Sequence, residues 1–223
     1  MPQKPEFNRE MWEPKTELGK AVKEGRITSI SQILSSGEKI REPEITDMLV
    51  PGLEEEIINV NLVQRMHKSG RRVKYKVVMV LGNRDGVVGI GQASAREITS
   101  SIRKATENAK MNVIEVARGC GSWECGCGRP HSVPFTVTGK SGSVKITIKP
   151  APRGLGCAAA EIPRTILRFA GIKDAWTRSE GQTKSTLNFA MATLNALKET
   201  SRMAVNESIR GKIKVGMVGE EGA

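Results

Sequence analysis

Aromatic side chains are scarce in this chain: four Phe, three Trp and one Tyr in 223 residues. That is too few to pave a surface on which nucleic-acid bases stack as the main mode of binding. Histidine occurs twice, and no Ser/His/Asp or Cys/His set can be read from spacing, so the sequence presents no visible active site. No stretch approaches the ~18 continuous apolar residues of a membrane span. The amino-terminal MPQKPEFNREMWEPK is polar and lacks the apolar core of a secretory signal. These absences lead to the expectation of an intracellular, cytoplasmic protein.

What is abundant is positive charge. Lys and Arg total 35 against 24 Asp and Glu, a net charge of +11. The distribution matters more than the sum. Residues 1–56 are net −4, residues 57–132 net +8 and residues 133–223 net +7. The basic excess therefore lies in the segments patterned to fold, which points to a polyanionic partner, most simply nucleic acid. With aromatics so few, contacts to backbone phosphates and to nucleic-acid shape fit better than base stacking.

The pattern along the chain divides it into five parts. Residues 1–52 form an acidic extension with short helices: Ser29 and Gln32 make a capping-box pattern before Ile33 and Leu34, and Ile45, Met48 and Leu49 mark another turn, interrupted by Pro43 and Pro51. Residues 53–117 read as β-β-β-α. Ile57 to Val63 and Val73 to Leu81 are strand-like, joined by the basic turn HKSGRR (His67 to Arg72); GNRDG (Gly82 to Gly86) is a hairpin turn, and Val87 to Gly91 returns as a third strand. Residues 118–132 are a Cys-rich connecting loop. Residues 133–201 read as β-β-α-β-α: strands from Val133 and Val144 joined by GKSG (Gly139 to Gly142), a helix from Pro163 to Ala170, a strand over Ile172 to Thr177 and a helix over Thr183 to Lys198. Residues 202–223 are Gly-rich and read as a tail.

The helix of the first unit carries the strongest periodic signal. Ile98, Ile102, Ala105 and Ala109 form one apolar stripe, and Ser94 with Glu97 makes a capping box at its start. Arg96, Arg103 and Lys110 are seven apart and line the opposite face, because a heptad step drifts only ~20° on a straight helix. This predicts a basic ridge. The commoner meaning of such a face is simple solvation, and only the charge distribution favours phosphate.

Three motifs carry possible chemistry. Gly89-Ile90-Gly91-Gln92-Ala93-Ser94 nearly spells a dinucleotide fingerprint, but it lies in an antiparallel hairpin and its third glycine is serine. Gly82, Gly86, Gly89 and Gly91 then read as turn positions or as places where a phosphate backbone comes close. PAPRGLGCAAA (Pro150 to Ala160) resembles the phosphate loop of small-molecule kinases. The positions that supply hydroxyl ligands there are Cys157 and Ala158 here, so a phosphate on its backbone N–H groups and Arg153 would belong to RNA rather than ATP. Finally, Cys120, Cys125, Cys127 and His131 fall within twelve residues and have the Cys3His ligand count of one structural zinc site, although the spacing is not the usual C-x2-C. A disulfide or unpaired thiols are the alternatives. Cys157 reads as a small core residue and His67 as a surface residue.

Together GNRDGVVGIG, the ARE and KA-x-E-x-AK features of the helix, PAPRGLG and FAGIKDAW (Phe169 to Trp176) resemble one family: small-subunit ribosomal protein five, the universal S-five family, in its archaeal form. The resemblance covers about Leu53 to Ser201. It implies an α+β fold, with a double-stranded-RNA-binding-like β-β-β-α domain followed by a β-β-α-β-α domain containing a left-handed βαβ crossover, and kinship with the kinase loop. It implies binding to small-subunit rRNA, neighbours in small-subunit ribosomal proteins four and eight, a place near the path by which mRNA enters, and support of decoding accuracy, with no catalysis. The candidate RNA contacts are Lys68, Arg71, Arg72, Lys74, Asn83, Arg84, Arg96, Arg103, Lys110 and Arg153. A small phosphotransferase using the Pro150 to Ala160 loop and a free RNA-binding regulator are the rival readings.

Overall fold

A computed structural model describes residues 12–202 and 213–215 of the chain. Three seven-residue helices come first: α1 (Glu17–Lys23), α2 (Ile30–Ser36) and α3 (Pro43–Leu49). Helices this short are not stable by propensity and need tertiary packing. Ile30, Ile33, Ile45 and Val50 supply it, forming one core with Leu81, Val87, Ala109 and Val113 of the body. Pro43 starts α3 rather than interrupting it, at a position where its missing N–H has no helical partner to lose. Ser29 does precede α2, but its hydroxyl makes no cap; Gln32 reaches back to the N–H of Thr28 instead.

The first sheet has the order β1-β2-β3-β4, with β1 (Glu54–His67), β2 (Gly70–Gly82), β3 (Val87–Ala95) and β4 (Val113–Glu115). All its pairings are antiparallel, and α4 (Ile98–Met111) covers one face. The strand β4 was not legible, because three residues are too few to show a period. The helix begins three residues later than the Ser94–Glu97 box implies. Ser94 remains in β3, paired with Lys76, and Glu97 is the cap residue without a side-chain bond. Ser101 makes the junction: its hydroxyl accepts from the Ala95 N–H and lies within bonding distance of the Tyr75 and Glu97 carbonyls.

The short β5 (Ala117–Arg118) pairs with β10 (Lys214–Val215), so part of the expected tail is a strand; residues 203–212 and 216–223 lie outside the described residues, as do residues 1–11. The second sheet has the order β6-β7-β9-β8, from β6 (Val137–Ser141), β7 (Val144–Pro150), β8 (Cys157–Ala158) and β9 (Ala175–Glu180). β8 and β9 run parallel and are joined through α5 (Glu161–Phe169), the βαβ crossover of this unit. α6 (Thr186–Thr200) packs on β6 and β7. The helix α5 starts two residues before Pro163, and the strand expected from Ile172 begins at Ala175. Residues 133–136 stay outside β6; Pro134 there has no N–H to give a ladder.

Of the four glycines expected to be turns or phosphate approaches, Gly86 is a turn residue at φ 96°, whereas Gly89 and Gly91 have another task. A Cβ on Gly91 would lie 2.2 Å from the Ala105 carbonyl oxygen, and one on Gly89 would lie 2.5 Å from that of Ala109. They let α4 press onto β3. Gly139 is not a turn residue either: it sits in β6, where a Cβ would meet the Ala192 oxygen at 2.1 Å, and the turn is made by Gly142 and Ser143. Buried residues from both sheets, including Val80, Val88, Ile146 and Ile148, form one continuous core with Ile166 of α5 and Leu197 of α6.

Candidate nucleic-acid interface and metal centre

The hairpin of β1 and β2 outruns the rest of its sheet. Pairing of β2 with β3 ends at Tyr75, whereas pairing of β1 with β2 continues to His67 and Gly70. The last five pairs therefore form a two-stranded ribbon that projects by ~17 Å at 3.4 Å per residue. Its turn is Lys68–Ser69, and every residue from Val60 to Ser69 is exposed. Directly paired residues point to the same face. Arg65 opposite Arg72, Val63 opposite Lys74 and Asn61 opposite Lys76 make one face strongly basic; Met66 opposite Arg71 and Leu62 opposite Tyr75 make the other largely apolar.

Arg65 and Lys76 were missed as candidates. The signal was present: a two-residue turn within HKSGRR fixes the register and puts Arg65 across from Arg72. Like charges directly opposite one another destabilise a ribbon, and a lone two-stranded hairpin is marginal in water. An anion set against this face would remove the repulsion.

The other candidates separate by what they already hold. Lys68, Arg71, Arg72, Lys74, Arg96, Arg103 and Arg153 are exposed. Arg96 is not on the helix but in the link before it, so the expected ridge of three is not built. Lys110 is only 19% exposed, with its ammonium 2.6 Å from the Asp47 carboxylate of α3; it ties the extension to the body. Asn83 is likewise a correction: its Oδ1 accepts the N–H groups of Asp85 at 2.8 Å and Val87 at 3.1 Å, which makes it the brace of its own turn. Arg84 has positive φ (57°) and an exposed ion pair with Glu54 at 2.5 Å. That leaves its guanidinium open to solvent on one side.

The cysteine loop converges. The four ligand atoms of Cys120, Cys125, Cys127 and His131 all lie within 4.8 Å of one another. The Cys125 Sγ is 3.8 Å from His131 Nε2, and tetrahedral bonds of ~2.0–2.3 Å to nitrogen and sulfur imply such separations. No disulfide forms among the four cysteines of the chain, Cys157 included. His131 is buried and its Nδ1 lies 2.8 Å from Asp174 Oδ2. That leaves Nε2 facing the thiols, the arrangement in which a second-sphere carboxylate orients a ligating imidazole. The backbone N–H of Arg153, followed by the N–H and thiol of Cys127, bonds to the Cys125 sulfur and lowers its pKa to about 6. Burial, and then hydrogen bonds with Cys127 and Cys125, push the Cys120 thiol up. The donor set and its geometry suit a metal ion.

The kinase-like loop does not offer a phosphate cradle. Its N–H groups at Gly154 and Gly156, both at positive φ, donate to Asp174 Oδ1 at 3.1 and 2.8 Å. A carboxylate of the chain itself occupies the place of the anion, and no hydroxyl stands at Cys157 or Ala158. The phosphotransferase reading fails on both counts.

Comparison with known proteins shows the family of the chain. Residues 53–117 match the family model described as ribosomal protein S5, N-terminal domain, and residues 139–209 that of ribosomal protein S5, C-terminal domain. The small ribosomal subunit protein uS5 of Methanothermobacter thermautotrophicus is 57% identical over 201 residues, 90% of this chain and 93% of its own. Those of Methanocaldococcus jannaschii and Pyrobaculum aerophilum are 52% and 54% identical, over 95% and 85% of this chain and 97% and 87% of theirs. With both sheets, the crossover and the ribbon in place, the chain belongs to the S5 family of small-subunit ribosomal proteins, a structural and not an enzymatic family.

Proposed function

We propose that this protein is a structural constituent of the small ribosomal subunit in the cytoplasm, and that its projecting ribbon enters folded rRNA with the basic face against backbone phosphates. The ribbon carries the reading: a doubly exposed hairpin with Arg65 facing Arg72 is built to be completed by a polyanion. Arg65, Arg72 and Lys74 of the basic face, with Lys76 at its base and Lys68 in the turn, form the principal contact, and Arg71 meets phosphate from the opposite face. Arg84, Arg96, Arg103 and Arg153 are secondary ones on the rest of the surface, and Lys110 and Asn83 are left out because their polar groups are engaged. The units 53–117 and 133–201 act as one body on their common core. Ribosomal proteins four and eight are the proposed neighbours, close to the path by which mRNA enters, where a rigid protein–RNA contact supports decoding accuracy.

The test is the salt dependence of binding to isolated small-subunit rRNA. The logarithm of affinity should fall steeply with the logarithm of salt, and Arg65→Ala, Arg72→Ala and Lys74→Ala should each reduce that slope by about one. A slope unchanged in the triple variant refutes the ribbon as the contact. Sedimentation of the protein apart from the small subunit in lysate would instead favour a free regulator.

At the cysteine cluster the proposed ion is one structural zinc, held by Cys120, Cys125, Cys127 and His131, which would close a loop that carries no secondary structure of its own beyond a single bridge at Gly119 and Ser132. Metal analysis of the purified chain should give one zinc per molecule and none for Cys125→Ser. Absence of zinc from the unchanged chain ends this reading.

A further inference from the structure

Asp174 is buried and has bonding partners on both oxygens. Oδ2 lies against His131 Nδ1, and Oδ1 accepts from Gly154 and Gly156 of the loop between β7 and β8. Three further bonds join the same segments. The N–H groups of Lys173 and Asp174 donate to the His131 carbonyl at 2.9 and 3.1 Å, and the Ala151 N–H donates to Ser132 Oγ at 3.2 Å. The cysteine loop, the glycine loop and the start of β9 are thus tied through one carboxylate, which borders the metal cluster.

We propose that Asp174 is a positioning residue that couples metal occupancy to the shape of the Pro150 to Gly156 loop, so that a metal ion at the cysteine–histidine cluster holds that loop closed and fixes where Arg153 is presented. The inference rests on the metal reading above and extends it. An imidazole bound to a cation through Nε2 is a stronger Nδ1–H donor, which strengthens its bond to Asp174. The fixed carboxylate then holds the two glycine N–H groups. At positive φ these residues have many alternative conformations once the anion is lost. Coupling is reciprocal: whatever stiffens the loop tightens the metal by the same factor.

The test uses the full chain under reducing conditions, with zinc ions alone as the probe and a chelator to remove them. Trypsin cuts after Arg153, in the glycine loop, and after Lys76, in the middle of β2, which monitors global opening. Zinc should slow cleavage at Arg153 by about tenfold relative to Lys76, within the usual range of coupling between two sites. Asp174→Asn has one oxygen acceptor and cannot serve the imidazole and the loop together. It should weaken zinc binding 10–100-fold and abolish the protection. His131→Cys keeps four ligand atoms but removes the link to Asp174, so it should bind zinc without protecting Arg153; this arm and the unchanged chain decide the matter even where Asp174→Asn does not fold. If the unchanged chain takes up no zinc, the metal reading itself fails. If it takes up zinc with equal change at both cleavage sites, or with none, or if Asp174→Asn binds zinc as tightly as the parent, the metal reading stands and the coupling is refuted.

Discussion

Replacing Gly91 by alanine tests how the first sheet accepts its helix. The added Cβ would stand 2.2 Å from the Ala105 oxygen, 2.3 Å from the Ala109 nitrogen and 2.8 Å from the Ala109 Cα. All three are backbone atoms, so no side-chain rotation makes room. Restoring an ordinary contact of 3.4 Å requires α4 to retreat by roughly 1.2 Å, and a gap of 0.5–1 Å already forfeits a quarter to a half of each dispersion well along the interface. Overpacking of cores costs ~1–3 kcal/mol, and rigid backbone on one side puts this site at the upper end, about 3 kcal/mol. For a chain of this size that lowers Tm by about 6–12 °C. The same device recurs in the second unit, where Gly139 faces the Ala192 oxygen at 2.1 Å and the Ala196 nitrogen at 2.4 Å, so Gly139→Ala should lose as much. Gly126→Ala, with nothing within 4 Å of its Cβ, is the control and should leave Tm unchanged. Urea unfolding read by circular dichroism gives the free energies. A loss below about 1 kcal/mol at Gly91 would refute the reasoning, because the helix would then be free to shift without cost.

Two further outcomes separate structural from RNA-facing charges and thiols. Lys110→Met should lower stability by about 1 kcal/mol by leaving Asp47 unpaired, yet leave the salt slope of rRNA binding unchanged; a shallower slope would return Lys110 to the phosphate contacts. In the metal-free reduced chain at pH 7, Cys125 should alkylate first, because a pKa of about 6 makes it largely thiolate above that pH. Cys157 should react slowly, since burial first and the Asp174 charge second raise its pKa. Peptide mapping after a short iodoacetamide pulse reads the order, and equal labelling of the two would contradict the assigned environments.

Periodicity and turn chemistry carry far in this chain, and fail where a contact from elsewhere overrides a local preference. Val73, Tyr75 and Val77 alternate with Lys74 and Lys76, and Val77 to Leu81 then run apolar because both sides of β2 are covered there. Ser94 and Glu97 spell a helix start, but β2 offers Ser94 a strand partner, and the ladder prevails. Ile98, part of the expected stripe, is 43% exposed because the helix begins there, short of the sheet it would cover. The heptad of Arg96, Arg103 and Lys110 breaks for two reasons no window of sequence contains: the helix starts after Arg96, and Asp47 on α3 claims Lys110. Asn83 sits among turn residues and was read as a contact, while its side chain closes the turn. In the cluster, Cys120, Cys125, Cys127 and His131 were recognisable as a ligand set from composition alone, but their convergence and the carboxylate behind His131 were not, since Asp174 lies 43 residues away.

By itself the sequence determined the polyanionic character of the partner, the two α+β units, the ligand count of the cysteine loop and the motifs of the S5 family. These are properties of residue type and short spacing, and they survive whatever the chain packs against. Tertiary structure alone decided which cations remain free, that three glycines in strands are seats for helices, and that the glycine loop holds a carboxylate of its own in place of a phosphate. Each of these depends on a partner distant in the chain, and hydrogen bonds, ion pairs and steric contact act over a few ångströms of space without regard to separation in sequence.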